Sequence, residues 1–252
     1  MHSLGPNNPN SQPILLGKGG FSKVELHIVN GIEYARKVIP RNAPSCYQEV
    51  KITKHLQGGK GIIRLVDSDQ DEHNLYLVLE KCSLPIRPAM DDILEQKRYT
   101  HNAIVAIKSV HDRGIIHNDV KPENFMISPL GVMNIIDFGT SMYVEQGTRD
   151  MITQGTPVYC SPEMLTSFVC KKTDVWAIGI MTFHALTGMY PFYNRNMHLT
   201  FKEILEKDID VASIKQIAGK YAADFVERTL DKDVGTRMCI DEALEHPWLG
   251  SL

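Results

Sequence analysis

The chain has 252 residues, 43% of them hydrophobic, enough to bury one large core or two lobes without disulfide or metal staples. Its formal net charge of -3, from 27 basic and 30 acidic side chains mixed along the sequence, gives no long-range field suited to nucleic acid or an anionic membrane. The five cysteines (Cys46, Cys82, Cys160, Cys170, Cys239) are odd in number and include no CxxC pair, which argues against a disulfide frame or structural zinc and points to reduced thiols in an intracellular protein, cytoplasmic or nuclear.

Residues 1–12 are rich in Pro, Asn, Ser and Gly and are expected to form a flexible tail, with no signal-peptide pattern. Short strands are expected around residues 14–16, at Val24, Leu26 and Ile28, and over residues 34–39, with Asn30-Gly31 as the clearest hairpin turn. Residues 47–56 space Val50, Ile52 and Leu56 as a helix face that can stop at Gly58-Gly59, and strand-like runs follow at 62–66 and 75–79. The pattern to residue 80 is therefore an antiparallel sheet with one inserted helix. Beyond a connector at 82–88 the texture turns helical. Ile104, Ile107 and Val110 share a face, 173–186 and 221–230 read as helices, and 240–248 reads as a last helix ended by Pro247. The most apolar run, residues 177–186, is short and carries His184, so no membrane span is expected.

Three groups of residues carry chemistry. In the turn from Gly17 through Gly19 and Gly20 to Val24, missing side chains let backbone N–H groups approach a phosphate; taken alone it equally describes a tight turn. Lys37 alternates onto one strand face with Ala35 and Ile39, where an ammonium needs a partner such as Glu49; singly, it also reads as a snorkelling surface lysine. In residues 114–139, Asp119, Asn124 and Asp137 lie on loops bounding a short hairpin and offer hard oxygen ligands for Mg2+ and one proton acceptor.

This set, in this order, resembles the eukaryotic-type protein kinases from Leu16 to Trp248. The resemblance implies an α+β, bilobal protein-kinase fold: a small antiparallel-sheet N-lobe with one helix over 13–80, a hinge at 81–84 and a larger helical C-lobe over 85–252. It implies ATP and Mg2+ as cofactors and protein substrates as partners. Asp119 then corresponds to the base, Lys121 to the contact with the transferred phosphate, and Asn124 and Asp137 to the metal ligands. Leu16, Gly17, Gly19, Gly20, Val24, Ala35, Lys37 and Glu49 form the ATP site with Leu79 as gatekeeper and the hinge backbone of Glu80 and Cys82. Thr148, Thr153 and Thr156 fall in an activation segment that closes on Ser161-Pro162-Glu163, while Glu163, Asp174 and Arg237 correspond to scaffold positions.

The chain departs from the family pattern at Ser22, where a third glycine is usual, at Asn118, which replaces the Arg of His-Arg-Asp, and at Thr53, where an apolar residue is usual. Asn118 puts activation by an Arg–phosphate clamp in doubt, although Arg149 is a further basic group, and Thr53 implies looser packing of the helix that bears Glu49. Lys121 and Thr156 favour Ser/Thr over Tyr as acceptor. The texture of residues 19–24 and 61–65, with Asn118, is similar to monopolar spindle kinases, which act in spindle-pole duplication and the spindle checkpoint. A nucleotide-gated module without catalysis is the alternative that the departures leave open. A small-molecule phosphotransferase is disfavoured by residues 140–163, which supply a peptide-docking segment.

Overall fold

The computed structural model describes residues 13–83, 92–146, 157–166 and 168–250. The expected tail, residue 84 of the hinge, and Thr148, Thr153 and Thr156 lie outside the described residues.

The first lobe is a five-stranded antiparallel sheet of order β1-β2-β3-β5-β4, with one helix set between β3 and β4. Its elements are β1 (Leu15–Lys18), β2 (Lys23–Val29), β3 (Ile32–Pro40), α1 (Cys46–His55), β4 (Leu65–Gln70) and β5 (Asn74–Glu80). Asn30 and Gly31 both take left-handed φ, 51° and 77°, matching the primed turn that a two-residue hairpin requires. Ile39, Cys46, Leu75 and Leu77 form a small core between sheet and helix.

The expected strand at 62–66 is corrected: only its end joins β4, which runs on through the polar residues 67–70. Ile62 instead makes a parallel bridge to Ile135 in the other lobe, with Ile63 N donating to Ile135 O at 3.1 Å and Ile135 N to Gly61 O at 2.7 Å. Gly61 makes this possible, because its φ is 67° and a Cβ there would lie 2.8 Å from Ala106 Cβ.

The second lobe contains α2 (Ile93–His111), β6 (Ile115–Ile116), β7 (Phe125–Ile127), β8 (Met133–Ile135), β9 (Met142–Tyr143), α3 (Lys171–Thr187), α4 (Met197–Glu206), α5 (Ala212–Ala218), α6 (Lys220–Thr229) and α7 (Ile240–Leu244). Asp92 caps α2 by accepting from Glu95 N at 2.9 Å. Helix α3 is apolar almost all round, as a central buried helix must be, and Gly188 at φ 70° ends it. Gly179 lets α6 close on it, since a Cβ there would sit 2.6 Å from Thr229 Oγ1. The last helix stops at Leu244, short of the expected 248, because Pro247 disfavours helical backbone in the residue before it. Hydrophobic spacing predicts nothing between α3 and α6, where the structure has α4 and α5. Helix α5, with only Ile214 fully buried, is too short for its period to stand out. The pairs β6–β9 and β7–β8 are two-stranded and fix the loops that carry the candidate site. Among the described residues no helix is long and apolar enough to cross a membrane.

Candidate active site

Gly114, at φ 71°, turns the chain out of α2 into β6 and then into residues 117–124. Asp174, fully buried near the start of α3, holds this loop from beneath. Its Oδ2 accepts from His117 N at 2.9 Å and His111 Nε2 at 2.8 Å, and its Oδ1 accepts from Asn118 N at 2.9 Å. Asn118 takes the left-handed φ of 67° that asparagine tolerates, and its Nδ2 donates to Thr140 O at 3.3 Å. The turn aims Asp119 outward. Lys121 Nζ donates to Asp119 Oδ2 at 2.7 Å, and Asn124 Nδ2 donates to that oxygen at 3.1 Å and to Asp119 O at 2.7 Å.

Asn124 ends a 3₁₀ turn opened by Pro122, and its carbonyl accepts from Ile136 N at 2.8 Å. That bond and the β7–β8 ladder bring the end of β8, and Asp137 after it, beside Asn124. Asp137 also has a positive φ, 62°. Its Oδ1 accepts from Gly139 N at 3.1 Å and from Lys37 Nζ at 2.8 Å, a contact that joins the two lobes across one hundred positions of sequence. Lys37 Nζ also pairs with Glu49 Oε1 in α1. Phe138, buried, meets the His117 ring edge-on at 5.4 Å.

The electrostatics follow from this placement. Burial pushes Lys37 down, but the Glu49 and Asp137 carboxylates outweigh it and hold the ammonium above its ordinary range. Burial pushes Glu49 up, and the negative charge of Asp137 adds to this against the pull of Lys37. Burial also acts to raise Asp137, yet the Lys37 charge and hydrogen bond and the Gly139 N–H bring it down to about 2. Asp137 is thus ionised at neutral pH. Burial, with the Glu80 charge adding to it, pushes the Cys82 thiol up to about 12, so it is neutral at physiological pH.

Asn124 commits its amide nitrogen to Asp119, which leaves its Oδ1 as the group that can face a cation, while Asp137 keeps Oδ2. An amide oxygen and an ionised carboxylate oxygen beside each other suit Mg2+, which takes few protein ligands and completes its shell with phosphate and water. The turn between β1 and β2 suits phosphates. Gly19 N donates back to Ser22 O at 2.8 Å, and added Cβ atoms at Gly17 and Gly20 would meet nothing within 4 Å, so packing does not account for those glycines. Val24 pairs opposite Lys37, and Ala35 opposite Leu79, so these residues lie side by side across β2, β3 and β5; Leu16 lies in β1, Glu80 ends β5 and Cys82 follows it.

Glu163 and Arg237 stand apart from these groups, in a bidentate pair at 2.7 and 2.9 Å. Thr53 is buried with its hydroxyl bonded to Glu49 O at 2.8 Å and its carbonyl to Gln57 Nε2 at 2.9 Å. Other contacts at the site have no signature in the sequence. Gln48 Nε2 donates to Ser141 O at 2.9 Å, and the Glu80 carboxylate accepts from Arg64 N at 3.0 Å and Asn134 Nδ2 at 3.1 Å. The Gln48–Ser141 and Glu80–Asn134 bonds cross the lobe boundary, and only the fold could reveal them.

A family model for the protein kinase domain matches residues 12–249. The chain is similar to the serine/threonine-protein kinase PEPKR2 of Arabidopsis thaliana, 29% identical over 245 residues, covering 93% of this chain and 52% of the relative. It is also similar to calcium-dependent protein kinase 14 of Oryza sativa subsp. japonica, 31% identical over 257 residues, covering 93% and 48%. A third relative, calcium-dependent protein kinase 29 of Arabidopsis thaliana, is 34% identical over 244 residues, covering 87% and 44%. The chain spans about half the length of these curated relatives.

Proposed function

Because the chain belongs to the protein kinase family, we propose that it transfers the terminal phosphoryl group of Mg-ATP to serine or threonine hydroxyls of proteins. The observation that carries this reading is the single lysine, Lys37, bonded at once to Glu49 in one lobe and Asp137 in the other, while Asp119, Lys121 and Asn124 form one hydrogen-bonded cluster that Asn124 O ties to Ile136, next to Asp137. Bound Mg-ATP supplies the phosphoryl group, its charge neutralised by the metal. The side chains have separable tasks. Lys37 would contact phosphate oxygens, Asn124 Oδ1 and Asp137 Oδ2 would hold the metal, and the Gly17–Gly20 backbone would cover the phosphates. Asp119 would orient the acceptor hydroxyl and take its proton as the new P–O bond forms and the bond from the γ-phosphorus to the bridging oxygen breaks, releasing ADP. Lys121 offsets negative charge on the phosphoryl in transit.

Wild-type protein should phosphorylate a generic Ser/Thr peptide or itself with Mg-ATP, and Asp119→Asn and Lys37→Met should abolish transfer while keeping the circular dichroism of the fold. Equal, negligible transfer by all of them, with ATP still raising the melting temperature, would replace this reading with a nucleotide-gated interaction module.

Two finer readings rest on Asn118 and on sequence texture. Asn118 is neutral and already bonds Thr140 O, which supports a kinase that does without an Arg–phosphate clamp on its activation segment. Phosphatase-treated protein should then keep most of its activity; complete loss, restored by phosphorylation at Thr148 or Thr153, would sink this. A mitotic role rests on the texture of residues 19–24 and 61–65 together with Asn118, and the three relatives above carry other names. Loss of spindle-checkpoint arrest on depletion, rescued by wild type and not by Asp119→Asn, is the test for it.

A further inference from the structure

One stripe of α1 faces away from the sheet and onto the segment that follows Asp137-Phe138-Gly139. Gln48, Lys51 and His55 recur at helix spacing along it. Gln48 Nε2 bonds Ser141 O at 2.9 Å. Lys51 Nζ lies 5.1 Å from the centroid of the Tyr143 ring, and the His55 ring lies 6.1 Å from it at 52°. His55 Nε2 also donates to Arg113 O at 3.1 Å, in the turn before β6. Tyr143 itself belongs to β9, paired with Ile115, and Val144 N donates to Gly114 O at 2.9 Å. Glu49, next to Gln48, is the residue that pairs with Lys37.

We propose that Tyr143 is a positioning residue, clasped by Lys51 and His55, through which an ordered β9 holds α1 where Glu49 meets Lys37. This rests on the kinase reading above and adds the residues, Tyr143 with Lys51 and His55, that join β9 to α1 in this chain. The contact is carried by the ring face, to which a cation and an imidazole are drawn, and the Tyr143 hydroxyl makes no hydrogen bond among the described residues. Asn118 and Gln48 fasten residues 140 and 141 by neutral hydrogen bonds, so the clasp completes a tether that needs no added phosphate.

The test compares wild type with Tyr143→Phe, Tyr143→Ala, Lys51→Ala and the Lys51→Ala/Tyr143→Ala double variant. Steady-state kcat and KM for Mg-ATP are measured with a generic Ser/Thr peptide and normalised to the folded fraction, and hydrogen exchange of the α1 amides is followed separately. Tyr143→Ala should lower kcat about tenfold per folded molecule, and Tyr143→Phe should restore it to within about twofold. Lys51→Ala should cost roughly two- to fivefold, the double variant should be no worse than Tyr143→Ala alone, and both single alanine variants should speed α1 exchange. Unchanged kcat per folded molecule in Tyr143→Ala, a Phe variant as poor as Ala, or additive losses in the double variant would overturn the proposal. If wild type itself transfers nothing, the kinase reading falls, and the exchange data alone decide the clasp: α1 amides no faster in Tyr143→Ala than in wild type reject it.

Discussion

Arg237 carries a full charge with no exposed side-chain surface, held by the bidentate Glu163 carboxylate and lying over the Trp176 ring at 4.9 Å. The pair's net worth against an apolar substitute is small, but removing one member strands the other. Arg237→Met should therefore lower stability by about 3 to 5 kcal/mol in urea unfolding and reduce activity only in proportion to the folded fraction. Asp174 is different: its two oxygens fix backbone N–H groups of the catalytic loop, so its loss would misplace Asp119 even in folded molecules. Most candidate site residues were legible in the sequence because their type and order carry the chemistry. Taken singly, Lys37 also reads as a surface lysine; the structure sets its ammonium between Glu49, its expected partner, and Asp137. Gln48 and Tyr143 had no such signal, because a glutamine and a tyrosine at those spacings say nothing until α1 and β9 are seen to face each other.

At the scale of elements, legibility followed apolar periodicity. Strands β2, β3 and β5 and helices α2, α3 and α6 bury enough on one face, or all round, to show. Strand β4 was half missed because residues 67–70 are polar and sit at the sheet edge, where pairing with β5 rather than burial keeps them extended. The turn joining β4 to β5 is built by Asp71, which accepts from the Tyr76 hydroxyl at 2.6 Å and from His73 N and Asn74 N, each at 2.8 Å. The Tyr76 hydroxyl and then these N–H groups bring Asp71 from its ordinary 3.8 down to about 2. A carboxyl with a lowered folded-state value contributes stability that is fully present above its ordinary value and lost as pH falls through the lowered one. The melting-temperature gap between wild type and Asp71→Asn should accordingly be constant above about pH 5 and shrink between about pH 4 and about pH 2. A gap that persists at the acid end would show that charge does not hold the turn.

At the scale of the molecule, the two lobes share more than a hinge. Lys37 reaches Asp137, Glu80 reaches Asn134, Ser83 N bonds Ile127 O at 2.8 Å, and residues 61–63 pair with the end of β8. Both tryptophans, Trp176 and Trp248, lie in the helical lobe, so fluorescence reports that lobe while circular dichroism reports both. The two signals should coincide through urea unfolding of wild type and separate in Gly61→Val, whose side chain would strike Ala106 and break the bridge to Ile135. Coincident curves in the variant would mean that the bridge is not what couples the lobes.

That bridge also means that the division of the chain is not the division of the molecule. Gly61, Ile62 and Ile63 precede the hinge in sequence but are built against α2 and β8, so a break at residues 84–91 would leave the first fragment holding a segment whose partner belongs to the second. Co-expressed fragments 1–83 and 92–252 should therefore find each other and copurify as a nicked but assembled pair, whereas the same fragments carrying Gly61→Val should elute apart on size exclusion.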